Sequence, residues 1–427
     1  MFIKLSNIFV IMTEKTRKLL FLYFKNKTAF YFVITNVIVA FLGFVRSFVF
    51  MKLLDFDELG LLTIVQTGAM FIGFFQAGLI NGGYRLVAQQ NNNVTEKTNN
   101  VIFSYFGVLF SFLISIYLIN SFFNILSDHL FLFILLVFGF SLLVFNWLTN
   151  TLIAERKYAL LNKVNFVSAM MSILCLPMAY YWGAYGGSFC LLIQPVVFCL
   201  CILLFSKKFR PTRYLLNIVE LKEILHYGFI PYVSGIFFLL YIQIERWSIT
   251  LYLGTTALGN MYLFILVTSL WVLVPLSIMN LFFPKCVTLF ENKNYLELNK
   301  HVRNHFYIVL GYCLITVVIL ILFLKPFIGN VFPEHLPFLN LVYIGITGLV
   351  FRTLSDPILV FLNSVVKLKP ILWSDIISIV SYLSLILLLV SNEWFSLKNL
   401  IIVFNLYFII KFIYLLIYYL KLKKNYL

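Results

Sequence analysis

Long apolar runs separated by short polar stretches recur along the whole chain. A helix needs about 20 apolar residues to cross the hydrocarbon core of a bilayer. By that length the pattern predicts twelve spanning helices. The first six cover 28–54, 58–82, 101–123, 130–153, 164–182 and 187–205, and the second six cover 227–253, 257–282, 305–328, 336–362, 371–390 and 399–420. The separations at 54–58 and 253–257 are only a few residues wide.

One pattern stands at the same ordinal place in each half. Arg46 opens RSFVFMKLLDFDELGLLTI, in which Leu59-Gly60 closes a short polar stretch. Glu245-Arg246 opens ERWSITLYLGTTALGNMY, in which Leu258-Gly259 does the same. The gap from arginine to glycine is 14 residues in the first copy and 13 in the second. This is the mark of a duplicated membrane unit with a buried positive charge in each copy. The expected organisation is a first half at 1–205, a linker at 206–226 and a second half at 227–427.

Composition excludes a soluble protein. The chain is 62% hydrophobic and 11% charged, against about 25% charged in soluble domains. The net charge of +16 raises the question of nucleic acid, but its distribution answers for topology instead. Of the 32 Lys and Arg residues, all but seven fall on the alternate loops 1–27, 83–100, 154–163, 206–226, 283–304, 363–370 and 421–427. The opposite side holds Lys52, Lys325 and Lys398, and the spans hold Arg46, Arg246, Arg352 and Lys411. Such alternation supports twelve spans with both ends in the cytoplasm. Residues 1–27 carry six basic residues and no small-residue cleavage site, so no cleavable signal peptide is expected. In 206–226, Leu215, Ile218, Val219, Leu221 and Leu225 among basic residues suggest an amphipathic helix on the inner leaflet. The six cysteines form no CxxC pair and are expected to be small apolar packing residues. His301 and His305 are spaced by four, which alone is weak evidence for a metal. No metal and no cofactor is expected.

An ionised group at the bilayer centre costs roughly 2.5–3.5 kcal/mol on insertion scales, so charges within spans carry the information. These are the cations Arg46, Arg246, Arg352 and Lys411 against the anions Glu245 and Asp356. A cationic excess favours an anion, and the planar guanidinium fork suits phosphate oxygens. Each group also has a structural alternative. Arg352 and Asp356, four apart on one helix face, neutralise each other; Arg46 snorkels to headgroups; Lys411 reaches an interface. Gln66, Gln76, Asn81, Asn146 and Asn150 are polar groups suited either to a hydroxyl-rich cargo or to hydrogen bonds between helices. No Walker loop, HExxH or GxSxG occurs, which argues against ATP hydrolysis and for a transporter rather than an enzyme.

Three stretches resemble the Wzx-type O-antigen or capsule repeat-unit flippases, the polysaccharide-exporting branch of the multidrug/oligosaccharidyl-lipid/polysaccharide (MOP) superfamily. They are Arg46 to Gly60 followed by QTGAMFIGFFQAGLINGGYR, Glu245-Arg246 through GTTALGNMY, and PFIGNVFPEHLPFLNLVYIGITG. Glu245 stands where that family usually shows Asp, and the charge is kept. The resemblance implies an all-α, MATE-like architecture of two six-helix bundles related by a pseudo-two-fold axis along the membrane normal. It implies transfer of an undecaprenyl-diphosphate-linked oligosaccharide from the inner to the outer leaflet of a bacterial inner membrane. Arg46, Arg246 and Arg352 are then the expected diphosphate and anionic-sugar ligands. The glycan contacts are Gln66, Gln76, Asn81, Asn146 and Asn150, and Glu245 or Asp356 takes a coupling proton or sodium ion. Membrane lipids, an O-antigen polymerase and a chain-length regulator are the other expected partners, and nucleic acid is not. The rival readings are an ion-coupled multidrug antiporter of the same superfamily and a membrane glycosyltransferase such as an O-antigen polymerase. The short outer loops disfavour the second of these.

Overall fold

The computed structural model describes residues 27–88, 94–125, 127–213 and 217–426. Lys4, Lys15, Arg17, Lys18, Lys25 and Leu215, which entered the charge and amphipathicity readings, lie outside the described residues.

Helices make up the described chain almost throughout. In order they are α1 (Lys27–Leu53), α2 (Phe56–Ile72), α3 (Leu79–Ala88), α4 (Val94–Phe123), α5 (His129–Ala154), α6 (Tyr158–Leu174), α7 (Leu176–Phe205) and α8 (Ile218–Leu253). After these come α9 (Thr255–Asn260), α10 (Tyr262–Glu291), α11 (Tyr295–Val331), α12 (Leu339–Leu354), α13 (Asp356–Ser364), α14 (Leu368–Ser391) and α15 (Leu397–Tyr426). Among the described residues, eleven helical stretches are long and apolar enough to cross a membrane, and Tyr158–Leu174 is a shorter apolar helix. This is a multi-pass, all-α membrane protein. In lipid every backbone group must be satisfied within its own segment, which is why the apolar runs are helical.

The breaks between helices have local causes. Asp55 and Glu58 form a reciprocal cap at the start of α2: the Glu58 N–H donates to Asp55 Oδ1 at 2.8 Å and the Asp55 N–H to Glu58 Oε2 at 3.2 Å. Asp128 Oδ1 accepts the Phe131 N–H at 2.9 Å and so starts α5. Pro177 and Pro357 stand in the first turns of α7 and α13, where a missing N–H costs nothing. Pro195, Pro275, Pro284 and Pro326 lie inside helices. The expected boundary between spans five and six falls within α7, at Gly183. Its φ of 54° and ψ of −132° are open to glycine and to little else, and the helix is broken there.

The chain divides into two compact units. The first comprises Met1–Leu53 and Gly68–Ile230, the second Leu54–Thr67 and Pro231–Leu427. In the first, α7 packs on α5 and α6, and α1 packs on α6. Trp147, Phe106, Phe198, Leu79 and Ile102 are buried in its core, and the Trp147 indole donates to Asn99 Oδ1 at 3.0 Å. In the second unit α15 packs on α12 and α14, and α10 on α11, α12 and α13. Asn405 ties α15 to α12: its Oδ1 accepts the Gly348 N–H and its Nδ2 donates to the Ile344 carbonyl, both at 2.8 Å. Trp271 donates to Thr353 Oγ1 at 2.8 Å.

The repeated motif closes on itself inside the second unit. A Cβ on Gly60 would lie 2.0 Å from the Thr255 carbonyl oxygen, and a Cβ on Gly259 would lie 1.7 Å from the Phe56 carbonyl oxygen. Each glycine thus faces the carbonyl four residues before the other. The contact is reciprocal, as a local two-fold relation between the copies requires, and only glycine allows it. Asp57 reinforces it by accepting from the Thr255 hydroxyl at 3.1 Å and from the Thr256 hydroxyl.

Candidate functional site

Within the first unit, Arg46 on α1 reaches α6 and α7. Its Nη1 donates to Ser172 Oγ at 2.6 Å and to Gln194 Oε1 at 3.1 Å. The Ser172 hydroxyl donates to the Cys190 carbonyl, so its lone pairs are left to accept from the guanidinium. Charge-assisted bonds of this kind are stronger than neutral ones. Arg46 is therefore held among three helices of its unit by neutral polar groups.

Within the second unit a larger polar group gathers on α2, α8, α12, α13, α14 and α15. Arg246 Nη1 donates to Thr67 Oγ1 at 3.1 Å. Gln243 Nε2 donates to the Thr67 carbonyl at 3.1 Å, and Gln243 Oε1 accepts from the Trp247 indole at 3.1 Å. These bonds dock the end of the Leu54–Thr67 stretch on α8. Arg352 Nη1 lies 3.4 Å from the Tyr241 hydroxyl, and its guanidinium sits over the Phe408 ring at 5.7 Å. Tyr241 stacks on Tyr407 at 5.1 Å, and Tyr382 meets Tyr407 edge-on at 5.7 Å.

Three carboxylates share this interior. Glu245 is 5% exposed, and its Oε1 accepts no hydrogen bond among the described residues. Asp356 is partly buried, at the start of α13 and within the electrostatic reach of Arg352 and Lys411. Asp375 is 2% exposed and forms an ion pair with Lys411, with Nζ 2.5 Å from Oδ1.

That last pair corrects the expected charge balance. Asp375 also lies inside a span, so the cations exceed the anions by four to three rather than four to two. In the second unit the balance is even: Arg246, Arg352 and Lys411 against Glu245, Asp356 and Asp375. Pairing is the physical reason, because two opposite charges in one interior lower the cost of burying either.

The expected glycan contacts fall in both units. Gln66 is half-buried on α2 in the second unit. In the first unit, Gln76 is half-buried, Asn81 and Asn146 are exposed, and Asn150 donates to the Asn146 carbonyl on its own helix at 2.9 Å. His301 and His305 both stack on Phe282, at 4.5 and 4.4 Å. Among the described residues no three His, Cys, Asp or Glu side chains gather as a metal site would require. Ser172, Gln194, Thr67, Gln243, Tyr241, Tyr382, Tyr407 and Asp375 were not singled out from the sequence. Only Asp375 carried a signal, as an acid within an apolar run.

No family model matches the chain, and no curated protein matches it. Solved structures do. The lipid II flippase MurJ, in an inward closed conformation, aligns with a TM-score of 0.75 over 92% of this chain and 90% of its own, at 15% identity. A MATE family multidrug resistance transporter of the MOP superfamily, in an inward-facing conformation, gives 0.69 over 89% and 94%, at 17% identity. The chain has the fold of these MOP transporters. A third MOP transporter, from Pyrococcus furiosus, gives 0.56 over 92% and 94%, at 16% identity, and the reverse polarity of its binding pocket is described as suggesting a different function. One fold thus carries pockets of different polarity, and the charged groups, not the fold, must argue for a cargo.

Proposed function

We propose that this chain is a flippase for a lipid-linked oligosaccharide, working by alternating access and carrying an undecaprenyl-diphosphate-linked O-antigen or capsular repeat unit from the inner to the outer leaflet. Arg46, Arg246 and Arg352 supply the positive charge that receives the diphosphate and adjoining anionic sugars. Gln66, Gln76, Asn81, Asn146 and Asn150 face the glycan, Glu245 or Asp356 takes up a coupling proton or sodium ion, and the lipid tail stays in the bilayer.

The observation that carries this reading is the setting of Arg246, whose guanidinium is held by the neutral Thr67 hydroxyl. Among the described residues no direct ion pair ties up that guanidinium, although the Glu245 carboxylate lies within its electrostatic reach, and its flat fork matches phosphate oxygens. The fold shared with a lipid II flippase is compatible with such a cargo, and the charges have to choose it. A multidrug antiporter remains the second reading. It draws on the fold shared with a MATE transporter and on Glu245, a buried carboxylate with one oxygen that accepts no hydrogen bond among the described residues.

The test is complementation of a deletion strain. Arg246→Ala is expected to abolish surface polysaccharide at unchanged membrane abundance, and Arg246→Lys to restore it in part. Full surface polysaccharide with Arg246→Ala would remove the site from the proposal. Drug susceptibility that rises on deletion, with surface polysaccharide intact, would favour the antiporter.

A further inference from the structure

Lys411 and Asp375 form a direct ion pair in the second unit. They lie on adjacent helices, α15 and α14, and are 6% and 2% exposed. Their contact is direct, at 2.5 Å. Asp356 on α13 faces the same ammonium from a greater distance, and the Tyr407 hydroxyl lies within the electrostatic reach of Asp375. A carboxylate so deeply buried needs a compensating positive charge, and three sources exist in principle: a proton, a metal cation or a side chain of the protein. Here the third source is built in.

We propose that Lys411 is a resident counter-cation: its ammonium fills the place that a monovalent metal ion or a proton would otherwise take on Asp375, so this carboxylate has no part in ion coupling. Of the three carboxylates in this interior, that leaves Glu245 and Asp356 for exchange with solvent ions. The inference holds whatever cargo the chain carries, and its test uses stability rather than transport, so it stands or falls separately from the flippase reading.

The experiment is thermal unfolding of the purified full-length protein in detergent, in sodium chloride against choline chloride at equal ionic strength. Lys411→Met leaves Asp375 buried without its partner. Its Tm in choline is expected to fall by roughly 5–15 °C, and to recover in part on adding sodium or on acidification. The double variant Lys411→Met/Asp375→Asn removes both charges. It is expected to return toward the wild-type Tm and to show the wild-type response to sodium.

Three results would overturn the proposal. One is a Lys411→Met protein that keeps the wild-type Tm in choline, or that falls and responds to neither sodium nor acid. Another is a double variant as unstable as Lys411→Met alone. The third is a sodium-induced rise in the wild-type Tm that the double variant loses and Glu245→Gln keeps.

Discussion

Arginine and lysine are buried here in different company. Hydroxyl and amide oxygens accept from Arg46 and Arg246, and a tyrosine hydroxyl and an aromatic face meet Arg352, with Glu245 and Asp356 within electrostatic reach of Arg246 and Arg352 respectively, whereas Lys411 is in direct contact with a carboxylate. Guanidinium is weakly hydrated and offers five donors, so neutral acceptors go far towards satisfying it; an ammonium is a compact charge that needs an anion more. At the polar end of the first unit the balance is different again. Burial acts to raise the Glu155 carboxyl, but bonds from Lys208 and Thr95 and the nearby ammonium of Lys157 outweigh it and hold the group below its ordinary range. A depressed carboxyl contributes stability above its unfolded value, about 4.3, and loses it as pH falls through the folded value. Glu155→Gln should therefore lower Tm by about 2 °C near pH 7, since the Lys208 end is largely exposed. The difference from wild type should shrink below about pH 4; thermal scans across pH check this, and a constant difference would contradict it. The single buried charges were legible in the sequence because each interrupts an apolar run, and the same rule marks Asp375. Their partners were not. Lys411 and Asp375, or Arg46 and Gln194, are far apart in sequence and meet only because particular helix faces turn toward each other.

At the scale of helices, periodicity and length located the spans well, because lipid leaves the backbone no alternative to helix. The duplicated motif was legible too, but its arginine drew attention first, and the glycine proves as telling. Gly60 and Gly259 let two backbone segments touch, each against a carbonyl oxygen that cannot swing aside as a side chain would. Alanine at either position must push the α2 and α9 segments apart. Each single substitution is expected to cost about 1–3 kcal/mol, the usual range for overpacking. Since both break one contact, Gly60→Ala/Gly259→Ala should cost clearly less than the sum of the two. Denaturation of the three purified variants measures the coupling, and strict additivity would show that the two glycines serve separate contacts. What could not be read was where helices stop within a span. The turn at Gly183 and the interruption at Ser355 before Pro357 depend on backbone angles and first-turn chemistry rather than on hydropathy.

For the whole molecule, fold and cargo part company. Identities of 15% and 17% are enough to keep the arrangement of helices shared with MurJ and a MATE transporter, because a helix in lipid needs only apolar residues at the right length and small ones at close contacts. The shared fold does not by itself say which side faces the cytoplasm, which leaves topology to be argued from the charges between the spans. Lys and Arg gather on alternate loops; with the twelve crossings expected from the sequence, that bias predicts every second connection on the cytoplasmic side. Glu291, at the exposed end of α10, and Trp394, exposed between α14 and α15, fall on opposite sides by that argument. In a background with the six cysteines replaced, Trp394→Cys should react with a membrane-impermeant maleimide in intact spheroplasts. Glu291→Cys should react only after the membrane is opened. Reaction of both before opening, or of Glu291→Cys alone, would mean that the number of crossings between them is even or that the whole chain is inverted. Either result would also remove the basis for calling the motion inner to outer, since the direction assigned to a flippase depends on which loops face the cytoplasm.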